Sequence, residues 1–344
     1  MLGDFLLQGL DWTGRARRRD LWAFVAVAGV LLAAFVAAEV WIAGDAPQAP
    51  RFVYLAAALC VVPGVSLGVR RLHDRGHGGG WLVLGLVPWI GLAVLAYLLL
   101  APGKGRVDAP ETPVAFHLLG GVLVAMLVVL VASRAFWAPY WFPTGSMKPT
   151  LLTGDYAAVS YGAAAGLARG DVIVFRSGEQ ASVGRVIGMA GDQVQMRDGK
   201  VVLNGVEIPQ AEVEPLVEIN APQGPGQHLP RCGNAPVGAG GHCVTNRLRE
   251  TTATGISYTV LDLMPGTAMD DTSEVTVPEG RLFVLGDNRD DSLDSRFARD
   301  SGGAGLVDGA DVIGKLRRII FSAEGRQLLA FWDWRAGRYW QAVE

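Results

Sequence analysis

The sequence predicts a multi-pass α-helical membrane region followed by a mainly antiparallel β domain. Three observations carry this. Half of the 344 residues are hydrophobic and only 18% are charged, a balance too apolar for an ordinary soluble chain. Long apolar runs crowd the first 135 residues. From Trp141 onward the texture changes to short segments at hairpin spacing, divided by Asp-Gly and Asn-Gly turns.

The runs are Leu21 to Ala38, Phe52 to Val69, Trp81 to Pro102 and about Val114 to Ser133, each near the ~20 residues of a spanning helix. Four in succession disfavour the alternative, buried core helices of a soluble domain. Arginines orient them. Arg15, Arg17, Arg18 and Arg19 precede the first run and Arg70, Arg71 and Arg75 follow the second, with only Arg51 between, which predicts a cytoplasmic N-terminus. Two topologies remain. If runs three and four both cross, the C-terminal domain is cytoplasmic; if run three dips in and turns back, as Pro88 and Gly91 permit, that domain is outside and Lys104 and Arg106 stay inside. The arginines at 15 to 19 precede too long an apolar stretch for a cleavable signal peptide, so the first run is expected to stay as an anchor. The expected domains are a multi-helix membrane domain at 1–107, an anchor helix at 108–138, and a β-rich domain at 139–344 with an irregular insertion at about 210–275.

The net charge of -3 is unclustered, with no basic stripe, which argues against nucleic acid as a partner. Cys60, inside an apolar run, reads as a small buried hydrophobe. Cys232 and Cys243 lie close together in a Gly/Pro-rich loop near His228 and His242. A disulfide, a zinc site and free thiols are all open there; the disulfide is preferred because the spacings fit no standard zinc finger. It would require an oxidising compartment. No other metal site and no cofactor is indicated.

GRARRRDLWAF (14–24) and RRLHDRGHGGGW (70–81) resemble a small bacterial inner-membrane family known as domain of unknown function 805, over roughly the first 105 residues. That resemblance implies an architecture and no chemistry. His73 and Asp74 read as an interfacial anchor rather than a site.

In the second half, DVIVFR (171–176) alternates apolar and polar residues, QVQMRDGKVVLNGVEIP (193–209) reads strand, turn, strand, turn, strand, and RLFVLGDN (281–288) is a strand entering a turn. A folded or partly closed system of antiparallel sheets is expected.

Ser146 in PTGSMKPT stands just after the fourth run. Alone it would read as a turn residue; as a nucleophile it needs a base in hydrogen-bond reach. Downstream follow GDY (154–156), RGDVIVFR (169–176), GRVIGMAGDQV (184–194) and GDNRDDSLDSR (286–296). The series resembles bacterial type I signal peptidases, membrane-anchored serine endopeptidases that remove signal peptides from exported proteins, over about residues 118–323. The resemblance implies that Ser146 is the nucleophile and that its N–H and the Thr144 hydroxyl form the oxyanion hole. It implies that Ser292 positions the catalytic lysine, that Met147 lines the substrate groove, and that Asp287, Asn288, Arg289, Asp294 and Arg296 form a supporting polar network. Lys148 is expected to be solvated.

The base is where the sequence departs. The family's lysine precedes the arginine of an Arg-x-x-Gly-x-x-Gly-Asp segment, and Arg185, Gly188, Gly191 and Asp192 fix the register so that Gly184 occupies its place. A lysine suits the task because burial can leave it neutral; glycine cannot accept a proton. The other lysines, Lys104, Lys148, Lys200 and Lys315, and His228 and His242, are the remaining candidates. The leading expectation is signal peptidase I acting on signal peptides at the bacterial inner membrane, with the peptidase domain on the outer face. The alternative is an impaired relative that binds signal-peptide-like segments or membrane partners. A transporter-like or scaffold role for the N-terminal runs is opposed by their few ionisable residues, chiefly Glu39 near the end of the first.

Overall fold

The computed structural model describes residues 12–43, 51–86, 89–103, 114–162, 166–178, 180–327 and 330–343, so Lys104, Arg106 and the expected boundary at 107 lie outside the described residues. The chain divides into two compact units, one reaching Phe136 and the other running from Trp137 to Glu344.

The described part of the first unit contains helices α1 (Arg18–Ala43), α2 (Arg51–His73), α3 (Ile90–Leu100) and α4 (Val114–Ser133), with a 3-10 helix at Gly79–Leu86. α1 and α2 are long and apolar enough to cross a membrane, while Ile90–Leu100 and Leu118–Ser133 are shorter apolar stretches. Their apolar side chains face outward as well as inward, with Val30 and Leu59 about as exposed as surface residues. That is the composition of helices apolar all round.

α1 and α2 form an antiparallel pair, and polar groups close both of its ends. Glu39 accepts hydrogen bonds from the backbone N–H of Phe52 (2.7 Å) and Val53 (3.4 Å). It thus caps N–H groups that a helix start leaves without partners. At the other end Ala16 N–H donates to the Arg70 carbonyl at 3.2 Å, and His73 Nδ1 lies 3.3 Å from the Gly14 carbonyl. Glu39 and His73 are therefore pieces of helix closure.

The third apolar run is broken. Its 3-10 helix packs on the last turns of α2, where Gly68 faces Leu82 and Gly79 faces Val69. α3 then returns to the same end of α2: Arg71 Nε donates to the Leu99 carbonyl at 2.8 Å, another Arg71 nitrogen to the Ala101 carbonyl, and Arg75 to the Pro102 carbonyl at 3.2 Å. Asp74 neutralises Arg71, which is fully buried. The RRLHD segment is thus a clasp that satisfies the orphan carbonyls of a second helix. Run three begins and ends beside it.

The second unit is antiparallel β. Its strands are β1 (Trp137–Trp141), β2 (Asp155–Tyr161), β3 (Val172–Ser177), β4 (Gln180–Gly188), β5 (Gln193–Arg197), β6 (Lys200–Leu203), β7 (Val206–Glu207), β8 (Gln210–Ile219), β9 (His242–Thr251), β10 (Ser257–Asp262), β11 (Val275–Thr276), β12 (Arg281–Leu285), β13 (Val307–Asp308), β14 (Val312–Ser322) and β15 (Gln341–Ala342). The main sheet runs β1-β2-β14-β3-β4-β12-β13 with β15 on β14, beside sheets β10-β9-β8 and β11-β5-β6-β7. The two expected turns are present, with Asp198 and Gly199, and Asn204 and Gly205, all at positive φ, as tight hairpins require.

Two expectations need correction. DVIVFR does not alternate between core and solvent: Val172 and Val174 enter one hydrophobic cluster, Ile173 and Phe175 another, so β3 is covered on both faces. The 210–275 insertion is mostly ordered, because β8, β9 and β10 form their own sheet. Irregular chain is concentrated at 220–241, and there Cys232 and Cys243 are joined as a disulfide. β8 hides in the sequence because its alternate residues are charged, and Pro215 falls where the β8–β9 register shifts between Val213 and Leu216.

Removing the clasp tests its part in the fold. Arg71→Ala is expected to cost about 3 kcal/mol or more, since it leaves Asp74 and buried carbonyls without their partner. The thermal midpoint of the solubilised protein should drop by several degrees, while exposed Arg19→Ala leaves it unchanged.

Candidate active site

Residues 143–150 connect β1 to β2, and their shape follows from what they bury. Phe142, Met147 and Leu151 sink into a cluster with Val159, Leu316 and Ile319. Backbone hydrogen bonds from Phe142 to the Asp155 carbonyl and from Gly154 to the Phe142 carbonyl, both 3.0 Å, close the loop at its base. Ser146 is left half-buried between these anchors, with exposed Thr144 beside it. The two hydroxyl oxygens are 3.2 Å apart, and among the described residues Thr144 is the hydrogen-bond partner of the Ser146 hydroxyl. Met147, expected in a substrate groove, is instead a core side chain at 1% exposure. The apolar cluster claims it.

The 286–296 segment holds this loop from the other side. Asn288 N–H donates to the Ser146 carbonyl and its side-chain amide to the Gly145 carbonyl, each at 3.0 Å. Gly286 has to be glycine: a Cβ there would collide with Ser292 and stand 2.8 Å from the Ser146 carbonyl oxygen. Ser292, Gly286 and Ser146 are therefore packed together.

Three buried ion pairs fix the segment. Arg185 meets Asp287 with two parallel bonds of 2.8 and 2.7 Å, donates to the Gly170 carbonyl at 2.7 Å, and lies 4.1 Å from the ring centroid of Tyr258. Asp287 also accepts from Thr150, four residues after Ser146. Arg289 meets Glu250 at 2.7 and 2.6 Å, and Arg296 meets Asp294 at 2.9 Å on each oxygen. Asp294 in turn accepts from Gly286 N–H at 3.0 Å. Burial by itself would raise the Glu250 carboxyl, but the charge and hydrogen bonds of Arg289 outweigh it and hold the group below its ordinary value. Glu250 and Thr150 were not singled out in the sequence, where a glutamate in a polar strand carries no signal.

Gly184 lies buried on β4, beside the same segment. A Cβ at 184 would stand 3.2 Å from Val284 Cβ and 3.5 Å from the Leu285 carbonyl oxygen. A side chain starting there would thus be in tight contact with Val284, two residues before Gly286, and Val284 would have to give by a few tenths of an ångström.

The other candidate bases are engaged or distant. Lys148 is not solvated: it is 4% exposed and its ammonium donates at 2.8 Å to both Glu218 oxygens and to Gln223. Charge drew it inward, because the end of β8 places a carboxylate against the serine loop. Lys200 pairs with Glu207 at 2.7 Å on an outer hairpin, and Lys315 pairs with Asp171. His228 and His242 are exposed. The insertion nevertheless reaches the site at a second point, where Arg231 donates to the Asp290 carbonyl and the Asp291 carboxylate, both at 3.0 Å. Among the described residues no group of three or more potential metal ligands occurs.

Beside this contact Asp262 and Asp290 share a site. Burial pushes the Asp262 carboxyl up to about 6, with Asp290 and then Asp270 adding repulsion. Asp290 is held by the N–H groups of Leu263 (2.8 Å) and Met264 (3.0 Å).

The family described as "Signal peptidase, peptidase S26" matches residues 116–321, and "Protein of unknown function (DUF805)" matches residues 9–108. Signal peptidase I of Rickettsia canadensis (strain McKiel) is 30% identical over 243 residues, covering 62% of this chain and 79% of that protein. Signal peptidase I of Bacillus licheniformis is 28% identical over 212 residues, covering 60% of this chain and 88% of that protein.

Two substitutions probe the polar scaffold. Glu250→Ala strands a buried guanidinium and should destabilise the β unit by about 3–5 kcal/mol, read as a loss of thermal midpoint. Asp262→Asn should act with pH. The folded carboxyl holds its proton more tightly than the unfolded one, so the stability it adds is present near pH 4 and lost as pH rises through 6. The asparagine variant should therefore gain roughly 1–3 °C in thermal midpoint above pH 7, and gain nothing at pH 4.

Proposed function

We propose a reaction from one premise: the chain belongs to the signal peptidase family, peptidase S26. Its function is that of signal peptidase I, hydrolysis of the bond between a signal peptide and an exported preprotein. The observation that carries this is the serine loop, with Ser146 lifted between buried anchors and its carbonyl bound by Asn288 against Ser292. In this reading Ser146 Oγ attacks the scissile carbonyl. The Ser146 N–H and Thr144 hydroxyl face the developing oxyanion, and Ser292 and the ion-paired segment hold the loop in register.

The proton acceptor sets the rate. Gly184 supplies none, and Lys148, Lys200 and Lys315 are each held by a carboxylate. The serine proton therefore leaves to solvent. Loss of a positioned base costs about 10²–10⁴-fold, while oxyanion stabilisation and binding alone retain on the order of 10³–10⁴-fold over water. Slow turnover is the outcome. A second reading rests on the close packing of Val284 against Gly184, which crowds a side chain at that position: the groove binds signal-peptide-like segments and releases them uncut.

Topology bears on substrate access. Run three starts and ends at the Arg70–Arg75 clasp, so it supports a re-entrant hairpin rather than a crossing. Lys104, Arg106, Asp108 and Glu111 make the following segment too polar to thread a bilayer. α4 then crosses away from the arginine-rich, cytoplasmic side, after α1 and α2. The peptidase unit is outside, where the Cys232–Cys243 disulfide belongs.

Incubation with a preprotein bearing a small-x-small cleavage site tests the chemistry. The unmodified protein should cleave slowly, with a rate that climbs about tenfold per pH unit as hydroxide replaces the missing base, and Ser146→Ala should abolish cleavage. Gly184→Lys with Val284→Ala, which clears the crowded Cβ position, should raise the rate at neutral pH at least 100-fold. Cleavage by that variant alone would support the second reading; cleavage by neither would remove the role given to position 184. Reporter fusions after residues 76 and 108 should report the cytoplasm and one after 139 the outside; a cytoplasmic signal at 139 would reject the hairpin topology.

A further inference from the structure

The insertion touches the candidate active site at two points, and one covalent bond joins them. At the first, Glu218 and Gln223 hold the buried ammonium of Lys148, two residues after Ser146, each at 2.8 Å. At the second, Arg231 donates to the Asp290 carbonyl and the Asp291 carboxylate, both at 3.0 Å, next to Ser292. Cys243 is the cross-strand partner of Glu218 in the β8–β9 ladder, and Cys232 directly follows Arg231. The disulfide, which joins residues 11 positions apart, therefore runs from the neighbour of one contact to the neighbour of the other.

The two contacts converge on the serine loop. A Cβ on Gly145 would stand 3.4 Å from an Asp291 carboxylate oxygen and 3.5 Å from both Cδ and Cε of Lys148. The residue before Ser146 thus lies between the partner of Arg231 and the partner of Glu218. Asn288 closes the circuit from the other side, through its bonds to the Gly145 and Ser146 carbonyls. A ring of contacts leads from Ser146 through Lys148, Glu218, the disulfide, Arg231 and Asp291 back to Gly145. Its links differ in strength. The Arg231–Asp291 pair is exposed, and water competes for it. Gly233 and Asn234, also exposed, are tied to β9 by hydrogen bonds of 2.9 to 3.2 Å. The disulfide removes a freedom of the loop that such contacts leave open.

We propose that the Cys232–Cys243 disulfide is a positioning bond for the reaction: it locks Arg231 and Glu218 to each other and so holds the serine loop against the segment that carries Ser292. The proposal rests on Ser146 acting as the nucleophile. A nucleophile must meet its carbonyl within a narrow range of distance and direction, so a small displacement of the loop costs rate more than binding. Lys148, Glu218, Arg231 and Asp291 act through the serine loop and are positioning residues. Such a bond persists in an oxidising compartment, so the loop is held in full only there. Cys232 is half-buried, within reach of a small dithiol, while Cys243 is 1% exposed.

Reduction of the solubilised full chain by dithiothreitol tests this. Two electrons and two protons pass to the disulfide, leaving two thiols, and the dithiol closes into its own cyclic disulfide. With the preprotein substrate, kcat should fall about tenfold while KM stays within about twofold. The double variant Cys232→Ser with Cys243→Ser should show the same slow rate and no response to the reductant. Backbone amide exchange, followed by mass spectrometry, should speed up about tenfold over residues 143–150 and 286–296 and stay constant in β3. Arg231→Gln should lower kcat to that of the reduced protein and abolish the effect of reduction, which a bond that only stabilises the fold would not do. Glu218→Gln should do likewise; exposed Arg231 carries the test if that variant fails to fold. Unchanged kcat and exchange on reduction, or an undiminished effect of reduction in Arg231→Gln, would overturn the proposal. If no form cleaves, the reaction assigned to Ser146 falls on its own account, and the exchange measurement alone decides whether the disulfide holds the loop.

Discussion

The bidentate pair of Arg185 and Asp287 is the constraint on which the rest of the site depends. Arg185 belongs to β4, one residue after Gly184, and Asp287 opens the segment that carries Asn288 and Ser292. The pair is fully desolvated, which is tolerable only because every oxygen of Asp287 is used, the remaining capacity going to Thr150 in the serine loop. Three remote stretches of chain are thereby fixed to one another through a single carboxylate. The pairs Arg289–Glu250 and Arg296–Asp294 repeat the device further along, so the loop that presents Ser146 is positioned by charge that has nowhere else to go.

This arrangement explains how the serine loop keeps its shape with no side chain at position 184. None of the contacts that shape the serine loop passes through position 184. They run through the backbone of 286–288, the apolar anchors Phe142 and Met147, and the buried pairs. Val284 packs against Gly184 as it would pack against any small residue in a core. The insertion adds a further layer, since Glu218 and Gln223 hold Lys148 and Arg231 holds Asp290 and Asp291. The serine loop and the final segment are each in contact with that one excursion of the chain, and the disulfide closes it between those contacts and β9.

Much of this was legible in the sequence, for reasons that differ by element. The hairpins at 193–209 were plain because Asp-Gly and Asn-Gly demand left-handed backbone and the structure places both there. The glycine at 184 was readable because Arg185 and three following residues set the register. What escaped was long-range electrostatics. Lys148 looked like a surface lysine because its partner, Glu218, lies 70 positions away in a strand whose alternating charges resemble a loop. Met147 looked like a groove residue because local sequence cannot tell which neighbour of a half-buried serine is the anchor. The contacts of run three were hidden for the same reason, since the carbonyls of residues 99, 101 and 102 end on Arg71 and Arg75, 27 to 30 positions earlier.

The clasp has one further consequence, for how such a chain can be put together from parts. The stretch from Gly14 to Pro102 starts and finishes at the same place, with its first residues on Arg70 and His73 and its last on Arg71 and Arg75. A stretch that closes on itself in this way gathers its two ends at one place, so the polar contacts that finish its helices are all made within it. Its residues also fall within the match to one family, 9–108, while the match to the other begins at 116, so the closed stretch and the peptidase part of the sequence answer to separate families.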